Sequence, residues 1–452
     1  MDPPAPELRR SLTPGQLSMI AIGGAIGTGL FLGSGFAIGT AGPSVLLSYL
    51  IGGIISLLLM GALAEMTVAH PSAGSFGVFA DLYLGPLGGF VIRYAYITGI
   101  VLAVGTEVTA IAIYMKFWWP GVPGLVWIIG FSAALVAINA APVKVFGSVE
   151  YLFSAIKIVA ILAFMAVGAW WVFGPSPLPG AGLANYTRAG GFMPHGLWGM
   201  WVAVIIAIFS YFSIEMIAVA AGEAADPQRA IVSAFKATIA RLLVFYLATI
   251  ALMLAIVPWT QAGEGGSPFV IVMAASGLPG AAGLVNLVIL VAALSAMNSQ
   301  LYVASRMLFS LGEAGYGPRF LARLSRAGVP HRALAVASLG IAFAGAAYAW
   351  QPDAAFTLMI AVSICAAMVT WILIFATHIA FRRQGGGAAG SFRMPGAPWT
   401  SAVGAVLMSA VLLTTGWTDQ FRMTLVFGVP FFAGLLLAYR LRRDQVTAPR
   451  RR

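Results

Sequence analysis

The chain has 452 residues, 60% of them hydrophobic and 9% charged, with a mean hydropathy of +0.93; soluble domains carry about 25% charged residues, so a soluble globular protein is excluded. The net charge of +11 is dispersed over short loops, which excludes a basic nucleic-acid-binding face. A lone cysteine, Cys365, excludes an intrachain disulfide and a cysteine-rich metal site.

The N-terminal stretch MDPPAPELRRSLTPGQ is polar and is followed by no small-residue cleavage site, so no removable signal peptide is expected. Twelve apolar segments are then predicted, at 16–39, 43–69, 86–115, 122–141, 146–173, 196–222, 234–258, 281–312, 332–349, 354–381, 397–417 and 422–440. A membrane-spanning helix needs about 20 apolar residues, and the longest segments imply tilted or interrupted helices. With the N-terminus inside, the cytoplasmic face receives Arg9, Arg10, Lys144, Arg229, the groups at 319–332 and 382–393, and the basic tail. The outer face receives only Lys116, Arg188 and Arg422. This bias predicts a multi-pass cell-membrane protein in the lipid bilayer with both termini cytoplasmic, and it puts Trp118, Trp119, Trp259 and Trp417 at the outer interface.

Segment one holds GGAIGTGLFLGSG at 23–35, inside an uncharged run from 17 to 48. Each glycine costs a helix roughly 1 kcal/mol relative to alanine, so so dense a cluster predicts a helix broken partway across the membrane. An opened backbone in lipid is tolerated only where protein or a polar cavity covers it. The half-helix that starts at the break offers N–H groups to a carboxylate, and the one that ends there offers carbonyls to an ammonium. A zwitterion fits such a gap. The same glycines also have small-xxx-small spacing, at Gly23/Gly27 and Gly29/Gly33, which serves close helix packing. Spacing alone leaves both readings open.

Segment six reads FSYFSIE at 209–215, with Ser210, Ser213 and Glu215 at membrane depth. It comes five segments after the first, the spacing expected of an inverted five-helix repeat with a site at the interface. Segment eight carries Ser295, Asn298, Ser299 and Tyr302 on one helical face; that face either bonds to neighbouring helices or lines a cavity. Glu65, Glu107, Lys157, Glu215 and Arg241 lie in or near segments, where an unpaired central charge costs about 3 kcal/mol or more. Glu107 and Lys157 are candidate proton carriers, the alternative being a fixed ion pair. Glu65 is expected to meet a cytoplasmic arginine, Arg241 to snorkel inward, Glu215 to be structural, paired with backbone or Arg241, and His378 to be interfacial. No HExxH, P-loop or dinucleotide fingerprint occurs, and the four histidines have no ligand spacing. No enzyme, cofactor or metal site is therefore expected. GGGAAG at 385–390 reads as a flexible loop.

Several stretches together resemble the amino acid permease family of the amino acid–polyamine–organocation (APC) superfamily: GGAIGTGLFLGSG at 23–35, TEVTAI at 106–111, AAGEAADPQRAI at 220–231, SAMNSQLYVASRMLFSLGEAGYGPRFL at 295–321 and SFRMPGAPW at 391–399. The resemblance implies an all-α LeuT-type fold of 12 transmembrane helices. Its parts would be a cytoplasmic tail (1–15), two inverted five-helix repeats (16–173 and 174–383) with helices 1 and 6 interrupted, helices 11 and 12 (384–440), and a basic cytoplasmic tail (441–452). It implies secondary uptake of an amino acid, usually with a proton. The substrate carboxylate would meet the backbone at Gly27, Thr28 and Gly29. The ammonium would meet carbonyls near Ala25, Ile26, Phe209 and Ser210. Lys157 would stand where related transporters hold sodium, with Ser295 and Ser299 as its oxygen partners and Glu107 on the proton path. Many members read FSFGGTE in the sixth helix; here Phe212 and Ser213 replace the two glycines, which argues against a large side chain, and apart from Glu215 the stretch offers no carboxylate to a substrate cation, so a small neutral amino acid is expected. A cationic amino acid, γ-aminobutyrate, or amino acid sensing without transport are the alternative readings.

Overall fold

The computed structural model describes residues 19, 24–72, 74–175, 177–220, 243–263, 266–386 and 392–446. Among the described residues every regular element is helical and no strand occurs. Nine helical stretches among the described residues are long and apolar enough to cross a bilayer, and Gly124–Ala140 and Leu243–Ile256 are shorter apolar helices. The chain is a polytopic membrane protein.

The continuous stretch Gly29–Ala69 contains 41 residues, about 60 Å of helix at 1.5 Å per residue, twice the about 30 Å hydrocarbon core. It divides at the 3₁₀ turn Gly42–Ser44, where Gly42 takes φ 63° and Pro43 follows. Segments one and two thus stay separate. Segment three starts earlier than position 86. Its helix runs Ser75–Met115 and is kinked at Gly85, φ 79°, immediately before Pro86. The ten residues before the kink are held by an ion pair between Asp81 and Arg93 across it, at 2.7 Å, and by the Tyr316 hydroxyl, which donates to Asp81 at 2.6 Å. The short stretch SFGVFADLYL at 75–84 therefore folds as helix ahead of the kink.

Burial orders the segments from centre to edge. The apolar window of Gly196–Val219 is wholly buried, whereas that of Asp419–Leu441 is 22% buried. The windows of Ser75–Met115 and Ala355–Arg383 are 78% and 72% buried, so segments six, three and ten are the most enclosed and the last segment is the most open. Both central anomalies are breaks. In segment one, residues 24–25 are helical, 26–27 bend, and the helix resumes at 28 and widens to a π-turn over Gly29–Gly33. In segment six, helix Gly196–Tyr211 stops, 212–215 form a turn, and helix resumes over Met216–Ala220. Ser213 sits at φ 80° within that turn, a region in which non-glycine residues are uncommon and which carries local backbone strain.

Candidate functional site

The two breaks touch. A Cβ on Gly29 would lie 2.6 Å from the Ser210 Cα, so only glycine lets the backbones of segments one and six meet here. A Cβ on Gly27 would lie 2.7 Å from Glu107 Oε1 and 2.8 Å from the Ala296 Cβ. Gly24 and Gly33 face Met216 and Ile206 of segment six. These glycines serve close approach, and at 27 and 29 the approach is to the break itself. Gly23 lies outside the described residues.

Backbone groups opened at the breaks are taken up by buried side chains from three other segments. The Thr28 N–H donates to Glu107 Oε2 at 3.3 Å, from segment three. Lys157 Nζ, from segment five and fully buried, donates to the Ile26 carbonyl at 3.1 Å. The Tyr246 hydroxyl, from segment seven, is 2.8 Å from both the Ala25 and the Ser210 carbonyls. A carboxylate thus rests on a helix-start N–H while cationic and neutral donors rest on helix-end carbonyls. This is the division of charge that macrodipoles favour. Ser210 also pairs through its hydroxyl with Tyr49 Oη at 2.9 Å. Phe209, Phe212 and Ser213 are buried around the same turn.

Glu150 was not singled out in the sequence, yet it is fully buried and central. Its Oε1 accepts from the Ser295 hydroxyl and, at 3.3 Å, from Ser154; its Oε2 accepts from Asn298 Nδ2 at 2.9 Å. Asn139 donates in turn to Asn298 Oδ1 at 2.8 Å. Lys157 has Glu150 and Glu107 as its charged neighbours. The Ser295 hydroxyl gives its proton to Glu150, since an ionised carboxylate only accepts hydrogen bonds, and its oxygen keeps lone pairs for a cation. Ser299 faces segment one, its Cβ 3.7 Å from where a Gly24 Cβ would stand. The missed signal was a face: Glu150, Ser154 and Lys157 stand at i, i+4 and i+7, opposite the polar face of segment eight.

The remaining ionisable residues lie apart from the breaks or at their edge. Glu215 accepts from Trp371 Nε1 at 3.1 Å; Arg241 lies outside the described residues. Glu65 is paired with Arg382 at 3.0 Å, accepts the Met394 N–H at 2.9 Å, and meets His378 Nε2 at 3.0 Å. His378 is not interfacial: it is fully buried, its Nδ1 2.8 Å from the Ser401 hydroxyl. Burial is possible because both ring nitrogens have partners. This cluster ties segments two, ten and eleven together. The stretch 221–231, which holds most of the loop motif after segment six, lies outside the described residues.

The chain is similar to known proteins over most of its length. Residues 16–447 match the family model described as amino acid permease. The uncharacterized amino acid permease YtnA of Bacillus subtilis (strain 168) is 36% identical over 439 residues, covering 96% of this chain and 95% of YtnA. The aromatic amino acid transport protein AroP of Escherichia coli (strain K12) is 39% identical over 377 residues, 83% of this chain and 82% of AroP. The AroP of Salmonella typhi is 37% identical over 409 residues, 90% of each chain.

Proposed function

Since this chain belongs to the amino acid permease family, we propose that it imports a neutral, small amino acid together with a proton, by alternating access. In this reading the two repeats and two further helices of a twelve-helix LeuT-type arrangement carry both termini on the cytoplasmic side of the cell membrane. The zwitterion binds at the breaks, with its carboxylate at Gly27–Gly29 and its ammonium at the carbonyls of Ala25, Ile26, Phe209 and Ser210. Permeases and transport proteins among the relatives support transport over catalysis.

The observation that carries proton coupling is the bond from the Thr28 N–H to Glu107. The substrate carboxylate needs that N–H, and two carboxylates at one helix start repel. An ionised acceptor bonds about twice as strongly as a neutral one, so protonated Glu107 yields the N–H readily and ionised Glu107 holds it. Proton and substrate then bind together. Substrate affinity of the wild type should rise as pH falls through the titration of Glu107. Glu107→Gln should bind with an affinity independent of pH and should lose proton-driven accumulation. Binding by Glu107→Gln that keeps the wild-type pH slope would count against this role.

Substrate class is tested by thermal stabilisation of the purified protein across an amino acid panel, since a ligand at 100 times its Kd stabilises by about 2.7 kcal/mol. Small neutral amino acids should shift the melting temperature and cationic ones should not. A second reading, favoured by the AroP relatives, is an aromatic amino acid. Phe212 decides between them, because its side chain is buried in the segment-six turn. Phe212→Gly should widen the accepted side chain and weaken the smallest substrates about tenfold or more, the effect of a lost methylene-sized contact. Strong stabilisation of the wild type by aromatic amino acids would replace the small-substrate reading with the aromatic one.

A further inference from the structure

Tyr246 presents one hydroxyl proton to two carbonyls, Ala25 O and Ser210 O, each at 2.8 Å. These are the ends of the two broken helices. The Ser210 carbonyl has lost its helical partner, because the Ile214 N–H turns to Tyr211 O at 3.4 Å. The Tyr246 ring is fully buried and wedged between Tyr49 and Tyr211, with centroids 6.0 and 4.9 Å away, so packing fixes where the hydroxyl points. Glu107 rests in the same way on the Thr28 N–H. One side chain therefore offers a carboxylate where the substrate's carboxylate is expected, and another offers a donor where its ammonium is expected.

We infer that Tyr246 is a placeholder for the substrate ammonium: its hydroxyl satisfies the Ala25 and Ser210 carbonyls in the empty carrier and gives them up when the ammonium arrives. This rests on the zwitterion binding at the breaks. The physical need is general. Carbonyls opened at membrane depth must have a donor in every state the carrier passes through, including the step in which it returns empty. A bound ammonium supplies three hydrogens and makes the phenol dispensable; the empty carrier has no such supply. Net uptake requires the empty carrier to return, whereas exchange returns it loaded, so the placeholder matters for the first process alone.

The test compares Tyr246→Phe with the wild type in proteoliposomes, using a neutral amino acid that measurably stabilises the wild type. The variant keeps the ring and removes the proton. Its substrate affinity should rise about fivefold, the worth of one hydrogen bond no longer displaced. Net uptake should fall about tenfold relative to exchange, and its melting temperature should fall without substrate and recover with it. Tyr246→His, which keeps a ring N–H donor, should restore the ratio of net uptake to exchange, and it serves as the reporter if the phenylalanine variant does not fold. Weaker binding by Tyr246→Phe, or a parallel fall in net uptake and exchange, overturns the inference and leaves Tyr246 a brace. If no amino acid stabilises or is carried by the wild type, the transport reading itself fails, a separable outcome.

Discussion

Lys157→Ala is expected to abolish proton-driven accumulation while leaving substrate exchange measurable. Lys157 is fully buried and donates to the Ile26 carbonyl at 3.1 Å, so its ammonium ties segment five to the break in segment one. It also balances Glu150, whose oxygens are otherwise served by the neutral donors Ser295, Ser154 and Asn298. Removing the ammonium leaves a buried carboxylate without a cation and a membrane carbonyl without a donor. Breaking a buried ion pair from one side costs about 3–5 kcal/mol, so the single variant should also melt earlier. Lys157→Ala combined with Glu150→Gln removes both charges. It should recover most of that stability and none of the coupling, which separates the two roles of the lysine. Robust proton-driven accumulation by either variant would show that Lys157 is only a structural counter-charge.

Gly29→Val is the other change with a large expected effect. Even the first carbon of a side chain at 29 would stand 2.6 Å from the Ser210 Cα and 3.1 Å from its nitrogen. Backbone cannot swing aside as a flexible side chain can, so segments one and six must separate. Overpacking of this kind costs about 1–3 kcal/mol, and the separation also moves the Ala25 and Ser210 carbonyls apart. Substrate-induced stabilisation should vanish, with insertion into the membrane retained. Gly27→Val should lose binding too, by pushing against Glu107 Oε1 and Ala296. Gly33→Ala, whose Cβ would stand 3.3 Å from the Ile206 γ-methyl and in ordinary contact, at 3.7 Å, with the Thr28 carbonyl, should bind as the wild type does. Wild-type binding by Gly29→Val would mean that the contact between the breaks is packing alone.

The architecture was legible where its cause is local. Apolar length marks the segments, and the glycine cluster at 23–35 marks the first break. The second break was harder to read, because FSYFSIE has no glycine and the turn is made with Ser213 at φ 80°. Tertiary contacts from Tyr49, Tyr211 and Tyr246 surround that turn, and no local propensity reports them. The helical residues before Gly85 were missed because Gly85 and Pro86 punctuate the run, while the Asp81–Arg93 pair that closes across the kink is not visible in the sequence. At the site, Gly27, Thr28, Gly29 and Lys157 stood out by glycine density and by charge at depth. Glu150 and Tyr246 did not. Their significance lies in which atoms they meet, Ser295 and Asn298 for one, Ala25 and Ser210 for the other. His378 looked interfacial because it ends an apolar run, and only Glu65 and Ser401, distant in sequence, explain its burial.

The central claim is proton-coupled uptake, and it is tested most directly in sodium-free proteoliposomes holding the purified wild-type protein. A labelled neutral amino acid is supplied outside, with an inward proton gradient imposed and then collapsed by a protonophore. The account predicts uptake above the external concentration while the gradient stands, and decay to equilibrium when it is collapsed, with no gain on adding sodium. Uptake that requires sodium, or that is unchanged by collapsing the proton gradient, would contradict it.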